Sequence, residues 1–255
     1  MRCLVLSLGE AALLRFAVIL ALASTMVSPA DAFTPTADQK ACATLPANAD
    51  VVAACTRIIE APSSSTLDRA VSYTFRADAA RADGNTTTAI ADYSQALSLM
   101  PTLVPALSGR GTAYRATGDF DRAIQDYNKA IKLNPNHGKA ISNRGNAYFA
   151  KRQYDRAIQD YDQAIKLDPN EAIPLNNRGS AYYQIGQVDR AIQDFDLAIK
   201  LNPNYPDALN NRGLAYISKG QHDRAIQDFD QVLKLDQKDA DAIRNRAMAI
   251  ARKNN

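Results

Sequence analysis

Seven asparagines are spaced so that their carboxamides could recognise another polypeptide. Asn143, Asn177, Asn211 and Asn245 recur every 34 residues, and Asn146, Asn176 and Asn210 lie within three residues of them. A carboxamide offers one acceptor oxygen and two N–H donors, so it can bond both the C=O and the N–H of a peptide unit, whatever the side chains. A regular column of such groups suits an extended chain. The alternative is that the amides bond neighbouring helices or solvent. Phe149, Tyr183 and Ile217 repeat with the same period. An apolar row beside an amide row would favour a short amphipathic segment; alternatively, these three fill gaps between adjacent elements.

A second column, Arg76, Arg110, Arg144, Arg178, Arg212 and Arg246, is accompanied by Asp126, Asp160, Asp194 and Asp228. It reads either as a basic stripe for acidic partners or, more strongly, as Arg–Asp pairs that hold antiparallel helices in register. Catalytic chemistry finds no support. The two histidines, His137 and His222, fall in separate turns and read as exposed. There is no phosphate loop, nucleophile motif or dinucleotide fingerprint. The pairs Asp160/Asp162 and Asp194/Asp196 diverge if they sit on helices, because i and i+2 point apart. The expectation is a chain that is not an enzyme and holds neither cofactor nor metal. Its net charge of +3, with both signs interleaved, gives no reason to expect nucleic acid.

The elements that carry these columns follow from one pentapeptide. Arg-Ala-Ile-Gln-Asp begins at Arg122, Arg156, Arg190 and Arg224, with no insertion or deletion between copies. A strict period of that length means that one structural unit is stacked several times. Units start at Ala70, Val104, Gly138, Ala172 and Pro206, with a last partial unit from Ala240. Each reads as helix, turn, helix. In the second unit, Gly118 ends the first helix, Asp119 and Asp121 open the next, and Pro135 prevents its continuation. Gly111, Gly145, Gly179 and Gly213 fall within first helices, where glycine costs about 1 kcal/mol relative to alanine. A cost repeated four times implies a close approach of two backbones, with Ala123, Ala157, Ala191 and Ala225 opposite. Tyr114, Tyr148, Tyr182 and Tyr216 on first helices, with Tyr127, Tyr161, Phe195 and Phe229 on second helices, supply the large partners.

The N-terminal part is different. Residues 1–32 contain an apolar run of about twelve residues, short of the roughly 20 that a spanning helix needs. The run ends in Ser28-Pro29-Ala30-Asp31-Ala32. This layout predicts a secretory signal cleaved after Ala32, with an uncleaved anchor as the alternative. Residues 33–69 form a non-repeating cap in which 49–61 reads as an amphipathic helix stopped by Pro62. Cys42 and Cys55 remain after cleavage, and an oxidising compartment favours a disulfide between them over two buried thiols.

The unit resembles the tetratricopeptide repeat, on Leu107, Gly111, Tyr114, Ala123, Tyr127, Ala130 and Pro135 and their periodic copies. The resemblance runs from Ala70 to the C-terminus. It implies an all-α, right-handed superhelical solenoid: five tandem units over 70–239, closed by a capping helix at 240–255. It also implies a concave groove lined by first helices, into which the asparagine column and Phe149, Tyr183 and Ile217 would project. Three departures stand out. Ala77 replaces the first unit's glycine, Arg152 occupies a turn-glycine position, and Gln237 replaces a proline. The lysines of the carboxylate clamp used by chaperone-binding members are missing. The function expected is that of a periplasmic or secreted scaffold holding a peptide or protein segment in its groove, with no membrane span after cleavage. The alternative is an envelope assembly factor that self-associates or docks with the groove idle.

Overall fold

The computed structural model of the chain describes residues 35–44 and 49–254; the predicted signal at 1–32 lies outside these residues. The described residues form thirteen α-helices and no strand. They fall into two compact units, 1–135 and 136–255. The first contains α1 (Ala37–Cys42), α2 (Ala49–Glu60), α3 (Thr66–Ala82), α4 (Thr86–Leu99), α5 (Val104–Ala116) and α6 (Phe120–Leu133). The second contains α7 (Gly138–Ala150), α8 (Tyr154–Leu167), α9 (Ala172–Gln184), α10 (Val188–Leu201), α11 (Pro206–Ser218), α12 (His222–Leu235) and α13 (Ala240–Lys253).

Within each unit, every helix packs on its neighbours in sequence. First helices also touch one another, α3 with α5 in the first unit and α7–α9–α11–α13 in the second. This is the stacking of helical hairpins in a repeat solenoid. In the cap, the sulfurs of Cys42 and Cys55 stand 2.09 Å apart, with Cα atoms at 4.8 Å. Val51, Ala54, Ile58 and Ala79 close around them. The serine run that ends α2 also starts the next helix. Ser65 Oγ accepts from the Asp68 amide at 3.0 Å, and the Asp68 carboxylate accepts in return from the Ser65 amide. Consequently α3 begins at Thr66, four residues before the period places its unit.

The turns within hairpins need a left-handed residue. Gly84, Gly118, Gly186 and Gly220 have φ between +71° and +81°, and Arg152 takes the same role at +58°. The glycines inside first helices answer to a ring. A Cβ on Gly111, Gly145, Gly179 or Gly213 would lie 2.6–2.8 Å from the nearest atom of Tyr127, Tyr161, Phe195 or Phe229 on the partner helix. Those rings are almost wholly buried. At Gly179 the Ala191 carbonyl also comes within 3.1 Å of that position, so ring and backbone both crowd it. The first hairpin solves the problem differently. With Ala77 in the glycine's place, the Tyr93 ring lies over Gly109 of the following helix, where an added Cβ would sit 2.4 Å from Tyr93 Cζ. Later units carry asparagine at the place of Gly109, and there the need for a small residue returns to the hairpin's own first helix.

Candidate functional site

The first helices of the second unit bring most of the predicted amides together. Asn177 on α9 donates to Asn146 Oδ1 on α7 at 2.9 Å, and Asn211 on α11 donates to Asn176 Oδ1 on α9 at 3.0 Å and to Ser180 Oγ at 3.3 Å. Asn176 donates to Asn177 Oδ1 at 3.3 Å, and the Tyr161 hydroxyl donates to Asn146 Oδ1 at 2.7 Å. The result is an amide row that links three consecutive first helices.

Its members are not equally accessible. Asn176 and Asn245 are buried, at 5% and 8% exposure. Asn143, Asn146, Asn177, Asn210 and Asn211 are half-buried. The oxygen of Asn210 is buried without a protein partner. Asn177 makes one bond through its nitrogen and one through its oxygen, which leaves a second N–H and a second lone pair for a ligand. Among the apolar residues, Phe149 and Tyr183 are half-buried. Phe149 packs edge-on against Tyr154 at 5.3 Å, and the Tyr183 hydroxyl reaches Ser218 Oγ at 2.8 Å. Ile217 belongs to the core instead. It is 5% exposed, in a cluster with Tyr216, Phe229 and Ala249, because α13 packs over the end of α11. The histidines also differ from expectation: both are half-buried rather than exposed. Burial, helped by Lys139, holds the His137 imidazole below its ordinary pKa. No group of metal-binding side chains exists among the described residues.

The arginine column pairs within hairpins and between them. Arg178 grips Asp194 of its own hairpin through Nε at 2.8 Å and an amino nitrogen at 2.6 Å, and reaches back to Asp162 of the preceding hairpin at 2.6 Å. Arg212 repeats this with Asp228 and Asp196. The two carboxylates of each Asp-x-Asp pair therefore serve successive arginines, which is how i and i+2 on one helix diverge. In the first unit Arg110 binds Asp126 and Ser94, and Arg76 binds Asp92 and Thr56, so hydroxyls stand in for the second carboxylate. Burial pushes the Asp160 and Asp228 carboxyls above their ordinary pKa, against the pull of Arg144 and Arg212. The pairs accordingly set register more than they add stability.

The pentapeptide arginine has a role that its sequence context did not suggest. Arg190 and Arg224 stack on Tyr182 and Tyr216 at 5.4 and 5.6 Å, while Arg178 and Arg212 cover the same rings at 6.0 and 5.7 Å. Each of these tyrosines is thus flanked by two guanidinium groups. The signal was present as the common period of the two arginines and the tyrosine.

Profiles described as tetratricopeptide repeat match residues 104–137, 126–159 and 206–239, and one described as TPR repeat matches 145–186 and 179–219; together they cover more than half of the chain. The chain belongs to the tetratricopeptide-repeat (TPR) family. Solved TPR structures align along most of their own lengths. A MamA crystal structure is 29% identical over 64% of this chain and 96% of that one, with a TM-score of 0.58. TTC0263 from Thermus thermophilus, a thermophilic TPR protein, is 20% identical over 71% and 99%, with a TM-score of 0.60. YrrB, described as a TPR protein with an unusual peptide-binding site, is 21% identical over 79% and 100%, with a TM-score of 0.59. A comparison with curated proteins returned no match. The TPR fold makes this chain a scaffold for protein partners, and TPR proteins are in general not enzymes. No helix among the described residues is long and apolar enough to cross a membrane.

Proposed function

We propose that this TPR protein is exported, loses residues 1–32, and holds an extended peptide segment against the first helices of its second unit. The observation that carries this reading is the amide row. Asn146, Asn176, Asn177 and Asn211 are fixed in place by bonds to one another, so little side-chain entropy is lost on binding. Asn177 retains a donor and an acceptor, and Asn143 stands one period away on α7. Phe149 and Tyr183 provide half-exposed apolar surface at the next turn of the same helices. Backbone bonding from such a row is indifferent to ligand sequence, while the two rings favour an apolar or aromatic side chain. In the exporting compartment, Cys42 and Cys55 form the disulfide that their spacing permits.

Peptide-phage selection on the mature chain tests the reading. Selected peptides should bind the protein with Asn143→Ala and Asn177→Ala together at least about tenfold more weakly, as expected for two lost hydrogen bonds. Circular dichroism should remain unchanged. Selection of no peptides, or equal binding to the double variant, rejects the amide row as the site.

A further inference from the structure

Helix α13 ends the stack with a seat that is covered in every complete hairpin and bare here. In the hairpins, one face of the first helix is covered by the hairpin's own second helix. Leu107, Ile141, Leu175 and Leu209 occupy one place on that face and are at most 3% exposed. Ile243 occupies the same place on α13 and is 49% exposed. One turn further on, Ala247 is exposed, and Ile250 beyond it is half-exposed. Capping helices ordinarily turn a polar face outward; this one does not.

The charge at the centre of the face is also half-matched. Arg178 and Arg212 each hold two carboxylates and are 19% exposed as side chains. Arg246 bonds only Asp230 of the preceding hairpin, through Nε at 2.5 Å, and is 40% exposed. Its two terminal amino groups have no partner among the described residues. In all five hairpins an aspartate on the covering helix meets this arginine with two bonds. The Arg246-Ala247 pair has one counterpart, Arg76-Ala77 on α3. There the covering helix is α4, which places Asp92 on the arginine and buries Ala89, Tyr93 and Ala96 beside it.

We infer that the α13 face is a docking site for an amphipathic helix of a partner protein, one that presents a carboxylate to Arg246 between small and apolar residues. The complementarity lies in the vacant half of the guanidinium, framed by Ile243, Ala247 and Ile250. This site is separate from the amide row and stands or falls independently of it.

The probe is a side-chain-stapled, fluorescently labelled peptide with the α4 sequence, Thr86–Leu99, titrated into the full chain and followed by anisotropy. Saturable binding is expected. It should fall about tenfold or more with Asp92→Asn in the peptide or with Arg246→Gln in the protein, as for a charge pair that loses one partner. Ile250→Glu in the protein should abolish it while leaving the melting temperature of the hairpins in place, which separates blocked docking from unfolding. Absence of binding, or equal binding of the Asp92→Asn peptide, overturns the proposal. Sedimentation of the protein alone provides the remaining arm: a dimer that Ile250→Glu dissolves would make a second copy the occupant and would likewise overturn it.

Discussion

Arg152 shows how a single residue can depart from the repeat while the backbone does not. Its φ of +58° matches the turn glycines of the other hairpins, so the fold imposes the left-handed conformation on a residue with a Cβ. The cost is about 1 kcal/mol. Arg152→Gly should therefore stabilise the chain by about 1 kcal/mol in urea unfolding, offset in part by the freer unfolded chain that glycine confers. A variant no more stable than the parent would mean that the arginine side chain repays its own strain. This position was legible in the sequence, since the period alone marks it as a turn. The substitution of Gly109 for the missing glycine at position 77 was not, because it depends on which way the Tyr93 ring swings between two helices.

The helices are held in register by the Arg–Asp ladder, and the ladder makes an asymmetric prediction. Asp194 is 4% exposed. Arg178→Met strands that carboxylate and should cost about 3–5 kcal/mol, whereas Arg178→Met with Asp194→Leu should recover most of the loss. Urea melts of the parent, the single variant and the double variant form the test; a double variant as unstable as the single one would show that the pair is needed as a pair. Pairing within the hairpin could be read from the spacing, as arginine and aspartate fall at matching heights on antiparallel helices. The reach back to Asp162 and Asp196 could not be fixed in advance, because it needs the distance between consecutive hairpins. The same holds for the amides: their column was visible, but not that Asn177 and Asn211 would bond across helices and that Asn176 and Asn245 would be buried.

At the scale of the whole chain, contacts run between neighbours, so a local change should stay local. Reducing Cys42–Cys55 would remove the restraint on a short loop, worth about 3 kcal/mol in the chain-entropy view. Amide exchange should then quicken in α1 and α2, while α9 to α12 keep their protection. Uniform quickening along the chain would contradict neighbour-only coupling. Everything that follows from the period was legible in the residues alone: helical hairpins, their turns, their glycine–aromatic packing and the identity of the repeat. These depend on contacts between residues close in the chain, and the same contacts recur in each copy. Which repeated side chains are used up inside the stack, and which face outward, was a matter for the packed fold. Ile217 is covered because a further helix follows it. Ile243, in a position that is core in earlier units, is bare because no helix among the described residues covers α13. Periodicity gives every copy the same part, and only the neighbours each copy has can tell them apart.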